Sequence, residues 1–454
     1  MIVHLMSTAS VVATVVFLIA AKCITDIVYR RFFHPLRAVP GPWINSVSEL
    51  PAALQLVRGN QHIYYRSLHE KYGPVVRVSP SELSFINPDA REEIYGFRKG
   101  GRLMEKSPIF LGAVGSTDGQ TDTYLAFDIM GDACFAEPFG CLNQASETEW
   151  STSVINVFVA ATWTQGIRRL SGTGTWLESL MTRLLVPARA AEWRRIHLNN
   201  SREKTVRRLA DPDRDHPDFM YHILNNESKH MLSETEIILN MALFISAGTD
   251  TTATALTGWT YFVCTHPDVY RRLMDEVRGA LLSREDIRWD KVRHLRYLEA
   301  TIHEALRLFP PSPASQQRIV PAGGATIDGH YVPAGMTVAV PPWVSTHSSC
   351  NFVDPDEFLP ERWLGEDTRF SNDRPNASLP FGTGPRVCIG KNLAYMEMRL
   401  ISAHLLWNFD MALDVETHKS SNEVWGLDGK LRPMKVFHSM TKPDLWVRLE
   451  KAKR

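Results

Sequence analysis

One cysteine set in a glycine-punctuated loop, Phe381-Gly382-Thr383-Gly384-Pro385-Arg386-Val387-Cys388-Ile389-Gly390, is the part of this sequence with the most definite chemistry. A cysteine framed in this way suits a thiolate bound axially to a haem iron, a ligand that pushes electron density toward the opposite face and favours O–O cleavage. Such a thiolate must stay deprotonated and shielded from oxidation. Gly384 and Gly390 let the backbone lie close to a flat macrocycle with its N–H groups directed at the sulfur. Phe381 is placed to cover the sulfur, and Arg386 to pair a haem propionate. The bland reading is a buried cysteine beside a glycine turn. Against it, five such positions within ten residues arise by chance roughly once in 10⁴ sequences of ordinary composition.

Three further clusters carry chemistry. Ala247-Gly248-Thr249-Asp250-Thr251-Thr252 lies inside a long apolar run. Small residues there let a planar ligand approach a helix, and the acid and hydroxyl that follow can hold and pass protons. A threonine bonded back to a backbone carbonyl is the structural alternative. Glu304-Ala305-Leu306-Arg307 sets a carboxylate and a guanidinium at i,i+3 on one helix face, and Pro360-Glu361-Arg362-Trp363 offers a second arginine. A zinc-protease reading of His303-Glu304 fails, because Arg307 stands where the second histidine belongs. The chain has no GxGxxG fingerprint, so electrons for redox chemistry must come from a separate protein.

The elements that position these residues are mostly helical. Glu234 to Phe262 reads as a central buried helix, too polar at Ser246, Thr249 and Asp250 for a membrane span. Pro267 opens a helix through Leu282, and Leu295 to Phe309 makes another, stopped by Pro310-Pro311. Val75–Val78 and Leu83–Ile86 form a hairpin, and Thr337 to Val340 a later strand. Residues 2–21 are free of charge and long enough to cross a bilayer, followed by Lys22, Arg30, Arg31 and Arg37. The positive-inside rule then keeps the bulk cytosolic and argues against a cleaved signal peptide. Sequons at Asn199, Asn226 and Asn376 go unused in that topology. Pro35, Pro40, Gly41 and Pro42 make a stiff joint. The resulting organisation is an anchor at 1–21, a Pro-rich linker at 22–43 and a catalytic domain at 44–454.

Composition sets outer bounds. With 50 basic against 50 acidic side chains there is no global charge to draw nucleic acid. The six cysteines form no CxxC pair, which argues against a zinc site or a disulfide framework.

The Cys388 loop resembles that of the cytochrome P-450 family of haem-thiolate monooxygenases, and the stretch from Leu295 to Trp363 looks most like fungal secondary-metabolism hydroxylases. The resemblance implies a mainly α fold with small β-sheets, heme b ligated by Cys388, and Asp250 and Thr251 as the proton-delivery pair. It also implies a buried network of Glu304, Arg307 and Arg362, and a propionate-binding role for Arg318. Lys391, Arg399 and Arg386 give the loop an outer positive face for an acidic donor. The activity implied is insertion of one oxygen atom from O₂ into a hydrophobic terpenoid, polyketide or alkaloid intermediate. Electrons come from NADPH through a separate reductase, at the endoplasmic reticulum membrane.

One interval departs from the resemblance. Between the early hairpin and Thr123, relatives carry helices with a Trp or His and an Arg that clamp a propionate, whereas here about two helices are lacking between residues 112 and 122. Only Arg318 and Arg386 then remain, from the motifs, to neutralise two propionates. The rival expectation is therefore an inactive or truncated member, a gene-model deletion with impaired haem binding.

Overall fold

A computed structural model of the chain describes residues 8–97, 103–110, 121–144, 148–213, 215–225, 232–437 and 439–452. The short interval near residues 112 to 122 lies almost wholly outside them, as do the sequon at Asn226 and the first residues of the apolar N-terminal run. The fold is mainly α with small sheets, as expected.

Its axis is the helix Glu234–Thr265. Ser233 caps it: the Ser233 hydroxyl accepts from the Glu236 N–H, and the Glu236 carboxylate accepts from the Ser233 N–H. At 1.5 Å per residue the helix runs about 48 Å. It has buried positions all round from Ile237 to Val263, which marks a core helix. Pro267 then opens Pro267–Ala280, where its missing N–H is no loss. Helix Arg296–Leu308 follows.

The central helix separates two apolar cores. Leu256, Trp259 and Phe262 pack with Leu298, Leu306, Leu406 and Trp425 in one. In the other, Met241 and Ile245 meet Phe127, Met130 and Trp150. The second core corrects one expectation. A Cβ on Gly248 would lie 2.4 Å from Met130 Sδ, so this glycine admits helix Thr121–Phe135 rather than a planar ligand.

The early hairpin is present as β1 (Val75–Ser79) and β2 (Glu82–Phe85), with Val75 opposite Phe85. Later strands are β3 (Glu105–Lys106), β4 (Arg318–Ile319), β5 (Ala325–Ile327), β6 (His330–Val332) and β7 (Thr337–Ala339). β5 and β6 make their own hairpin, and the others form one sheet in the order β1-β2-β7-β4-β3. Arg169, from helix Glu149–Ser171, donates to Glu82 at 2.6 Å and to Glu49 at 3.1 Å. Gln317 donates to the other Glu82 oxygen at 2.9 Å. That buried cluster fixes where β4 begins.

At the N-terminus, helix Thr8–Val28 continues through a wider turn, Tyr29–Phe33, beyond the expected end at Ala21. The span Ser10–Phe33 contains an 18-residue stretch of mean hydropathy 2.2, 0% buried, enough in length and composition to cross a membrane. The break falls at His34 and Pro35, not at Lys22. Arg30 docks this end on the body by donating to Val47 C=O at 2.7 Å, while Arg77 donates to Arg30 C=O at 3.2 Å.

Glu304, Arg307 and Arg362 meet as expected. Arg307 bonds both Glu304 oxygens at 2.8 Å, and Arg362 adds a bond at 2.9 Å. Arg307 also donates to the carbonyls of Thr346, Pro355 and Glu357, Arg362 pairs with Asp373, and Trp363 Nε1 donates to Glu304 at 2.8 Å. Burial alone raises the Glu304 pKa, but the two guanidiniums outweigh it and hold the carboxyl below its ordinary range.

Removing one partner strands buried charge, which costs about 3–5 kcal/mol. Arg362→Ala is therefore expected to lower the thermal unfolding midpoint by several degrees in circular dichroism. Arg271→Ala, at an exposed pair with Asp268, is expected to leave it almost unchanged. Equal midpoints for Arg362→Ala and wild type would contradict the structural role of the network.

Candidate active site

The cysteine loop folds back on itself through Cys388 N–H, which donates to Phe381 C=O at 2.9 Å. Gly384 is required by geometry. Its φ is +71°, and a Cβ would lie 2.2 Å from Tyr95 C=O. Gly390 precedes helix Lys391–Asn408, and a Cβ there would meet Cys388 Sγ at 3.9 Å, an ordinary contact. Its missing side chain thus serves to leave the sulfur open. The thiol is exposed and precedes the first turn of that helix, where the dipole favours negative charge. Phe381 is held 4.9 Å from the Tyr395 ring.

Phe381 and Cys388 line a cavity of about 210 Å³ together with Thr251, Thr252 and Ala255 of the central helix. Leu306, Pro311, Ala394 and Met398 make its apolar remainder. Thr251 Oγ donates to Ala247 C=O at 2.7 Å, the helix-internal bond available to any threonine. Asp250, expected beside it, is not on the cavity wall. Its carboxylate is buried and accepts from Lys442 Nζ at 3.0 Å and Ser439 Oγ at 2.7 Å, and Lys442 also reaches Thr254 Oγ at 2.9 Å. The structure thus brings Thr251 to the cavity and sets Asp250 behind it.

A smaller cleft adjoins the cavity, sharing Ser312, Gln316, Pro380, Gly382 and Arg386 with it. Arg318 and Arg386 both line this cleft, as a propionate edge requires. Arg318 donates to the carbonyls of Gln316 and Gln317 at 3.2 Å and stands over Tyr95, 5.0 Å from its centroid. Arg91, which no motif flags, joins them. It donates to Leu379 and Ala377 carbonyls, and its buried Nε has no partner. Arg399 is a correction: it pairs with Glu299 and lies against Tyr395 and Trp289, so it is not a free docking charge.

These residues fit a haem. An open thiol and an aromatic cover adjoin a cavity whose rim carries guanidiniums with a buried donor left over. The sequence offered no signal for Arg91 or Lys442, because neither has a fixed spacing to the loop or to Asp250.

The comparisons with known proteins agree with this geometry. A model of the family "Cytochrome P450" matches residues 120–436. The chain is 52% identical over 515 positions to "Cytochrome P450 monooxygenase aba2" of Botryotinia fuckeliana, covering 100% of this chain and 98% of that protein. It is 47% identical to "Cytochrome P450 monooxygenase ABA2" of Pyricularia oryzae, covering 97% and 96%. It is 34% identical to "Cytochrome P450 monooxygenase astA" of Talaromyces wortmannii, covering 93% and 94%. The Botryotinia alignment has 61 more positions than the 454 residues of this chain, so that relative carries residues with no counterpart here.

Glu397, on the helix that follows the loop, is also outside the motifs. It is buried, accepts from Thr252 Oγ at 3.2 Å and has one oxygen unpaired. Burial pushes its carboxyl up to about 7 from 4.5, against the opposing Thr252 bond. A raised acid stabilises the fold below its unfolded pKa and loses that contribution as pH climbs from 4.5 through about 7. Glu397→Gln is expected to remove that loss, so the variant gains on wild type in thermal midpoint at pH 8 and not at pH 4.5. The same difference at both pH values would refute the assignment.

Proposed function

The chain belongs to the cytochrome P450 family, and from that premise we propose that the cavity between Thr251 and Cys388 holds a heme b whose iron Cys388 ligates. The protein is a fungal-type monooxygenase of secondary metabolism that inserts one oxygen atom from O₂ into a hydrophobic small molecule. The observation that carries the site is that Cys388, Phe381 and Thr251, from loop and central helix, open onto one cavity. Once bound there, the cofactor supplies dioxygen activation, with the thiolate favouring O–O cleavage.

The chain's own residues do the rest. Cys388 Sγ offers its open face beside Gly390, and Phe381 lines the same cavity. The Thr251 hydroxyl holds a proton at Oγ on the cavity wall, and Asp250 behind it, once its bonds to Lys442 and Ser439 open, takes a proton from water and passes it on to replace the one Thr251 gives up. Arg318 and Arg386 pair the propionates. Leu306, Ala255 and Met398 make the cavity wall apolar, which suits a hydrophobic substrate. Electrons arrive from NADPH through a separate reductase, since the chain has no dinucleotide fingerprint. The helix Thr8–Val28 anchors the protein in the endoplasmic reticulum membrane, with the body cytosolic. The site does not favour the inactive-remnant reading, because the Cys388 loop, Thr251 and the Glu304 network are all in place.

For a hydrophobic compound that the wild type oxygenates under ¹⁸O₂, the product is expected to carry one labelled oxygen. Thr251→Ala is expected to keep its haem and consume NADPH but release hydrogen peroxide in place of most of the product. Unchanged product per NADPH in Thr251→Ala would place the proton route elsewhere.

A further inference from the structure

One wall of the Cys388 cavity is the bend that follows helix Arg296–Leu308. Pro311, Ser312 and Gln316 face the cavity, and Ser312 and Gln316 are shared with the adjoining cleft. The two ends of this bend are tied. Pro311 C=O accepts from Ser439 Oγ and from Met440 N–H, both at 3.1 Å, and Gln317 Nε2 donates to Glu82 at 2.9 Å. Between those ties, Ser312 to Ser315 make no hydrogen bond among the described residues.

Behind the bend is a second cavity, of about 10 Å³. Pro313 and Ser315 of the bend line it, with Pro341, and with His62 and Tyr65 of helix Gln61–Tyr72. His62 Nδ1 and Ser315 Oγ are both without a partner, in residues only 4% and 6% exposed. Buried polar atoms left so carry their full desolvation penalty. The chemistry of each is definite. Burial holds the His62 ring neutral, lowering its pKa to about 4, against an opposing bond to the Met434 backbone. Since Nδ1 is unpartnered, that bond runs from Nε2–H to the Met434 carbonyl, and Nδ1 is a bare acceptor. The Trp343 ring sets the plane of the imidazole, edge-on at 4.8 Å. Tyr65, 0% exposed, accepts from Gln61 Nε2 at 3.4 Å and keeps its own hydroxyl hydrogen to give.

The occupant of this cavity must therefore donate toward His62 Nδ1 and accept from Ser315 or Tyr65. A single water does both: it needs about 10–15 Å³ and two to four polar partners. We propose that one structural water bridges His62 Nδ1, Ser315 Oγ and the Tyr65 hydroxyl, and that His62 and Ser315 are thereby positioning residues for the cavity wall. The bridge gives the middle of the bend the tie that its ends already have, and a water-mediated bond holds nearly as well as a direct one. Ser312 and Gln316 then keep one arrangement toward the cavity. The effect on turnover rests on the haem site assigned to Cys388; the water site itself does not.

The test joins crystal structures of the full-length protein with steady-state kinetics. Wild type is expected to show one ordered water within hydrogen-bond distance of both His62 Nδ1 and Ser315 Oγ, and His62→Phe, which fills the space with an apolar ring, none. For a hydrophobic compound that the wild type oxygenates, His62→Phe and Ser315→Ala are each expected to raise KM up to about tenfold, with kcat within about twofold, the effect of one lost hydrogen bond on the shape of the wall. His62→Asn, whose amide oxygen falls near the place of Nδ1, is expected to keep both the water and the wild-type KM. No water on these two atoms in the wild type, or a direct bond between His62 and Ser315, overturns the bridge. An unchanged KM in both His62→Phe and Ser315→Ala overturns the positioning role. A wild type that holds the water but binds no haem supports the bridge and overturns the haem site instead.

Discussion

Everything at the site depends on one separation, that between the cysteine loop and the central helix. The loop is not held by regular secondary structure. It is held because the helix Arg296–Leu308, the segment after it and the turn Pro360–Trp363 are tied together by Glu304, whose carboxylate accepts from Arg307, Arg362 and Trp363. Arg307 extends the tie to three carbonyls and Arg362 to Asp373. A cluster so fully paired has one low-energy arrangement, since any displacement strands a charge in the interior. The chain from Leu359 onward is thereby delivered to one position, and the loop with it.

Charge is treated in opposite ways on the two sides of the cavity. Behind the central helix, Asp250 and Lys442 neutralise one another, with Ser439 and Thr254 completing their bonds. At the rim, Arg91, Arg318 and Arg386 line one cleft, and among the described residues no carboxylate pairs with them. The first arrangement is closed and needs no ligand. The second leaves positive charge open to an anionic group, which is why the rim, more than the cavity volume, argues for the chemical character of the cofactor. Glu397 is a third case: a lone buried carboxyl, easiest to keep neutral, beside the helix that follows the loop.

What the sequence revealed follows the chain's locality. The Cys388 loop, Glu304 with Arg307, the early hairpin and the helices after Ser233, His266 and Leu295 are each written within a few consecutive residues, where spacing, caps and prolines act directly. Partners distant in sequence were invisible. Lys442 is 192 residues from Asp250, and Lys106 meets Arg318 across a ladder too short to show any alternation. Gly248 and Arg399 were misread for a related reason. A glycine that admits a neighbouring helix looks, in sequence, like one that admits a ligand, and an arginine paired with Glu299 looks like a free one. The short interval was legible as an anomaly, and the longer alignment with the Botryotinia relative agrees with it.

The most direct measurement is iron K-edge X-ray absorption, with iron quantified per chain, on the purified 454-residue protein and on Cys388→Ser. The expected result is one iron per wild-type chain with a single sulfur among its nearest neighbours, and no sulfur in the variant. A wild-type chain without iron, an iron ringed only by nitrogen and oxygen, or a sulfur that persists in Cys388→Ser would contradict the site at its centre.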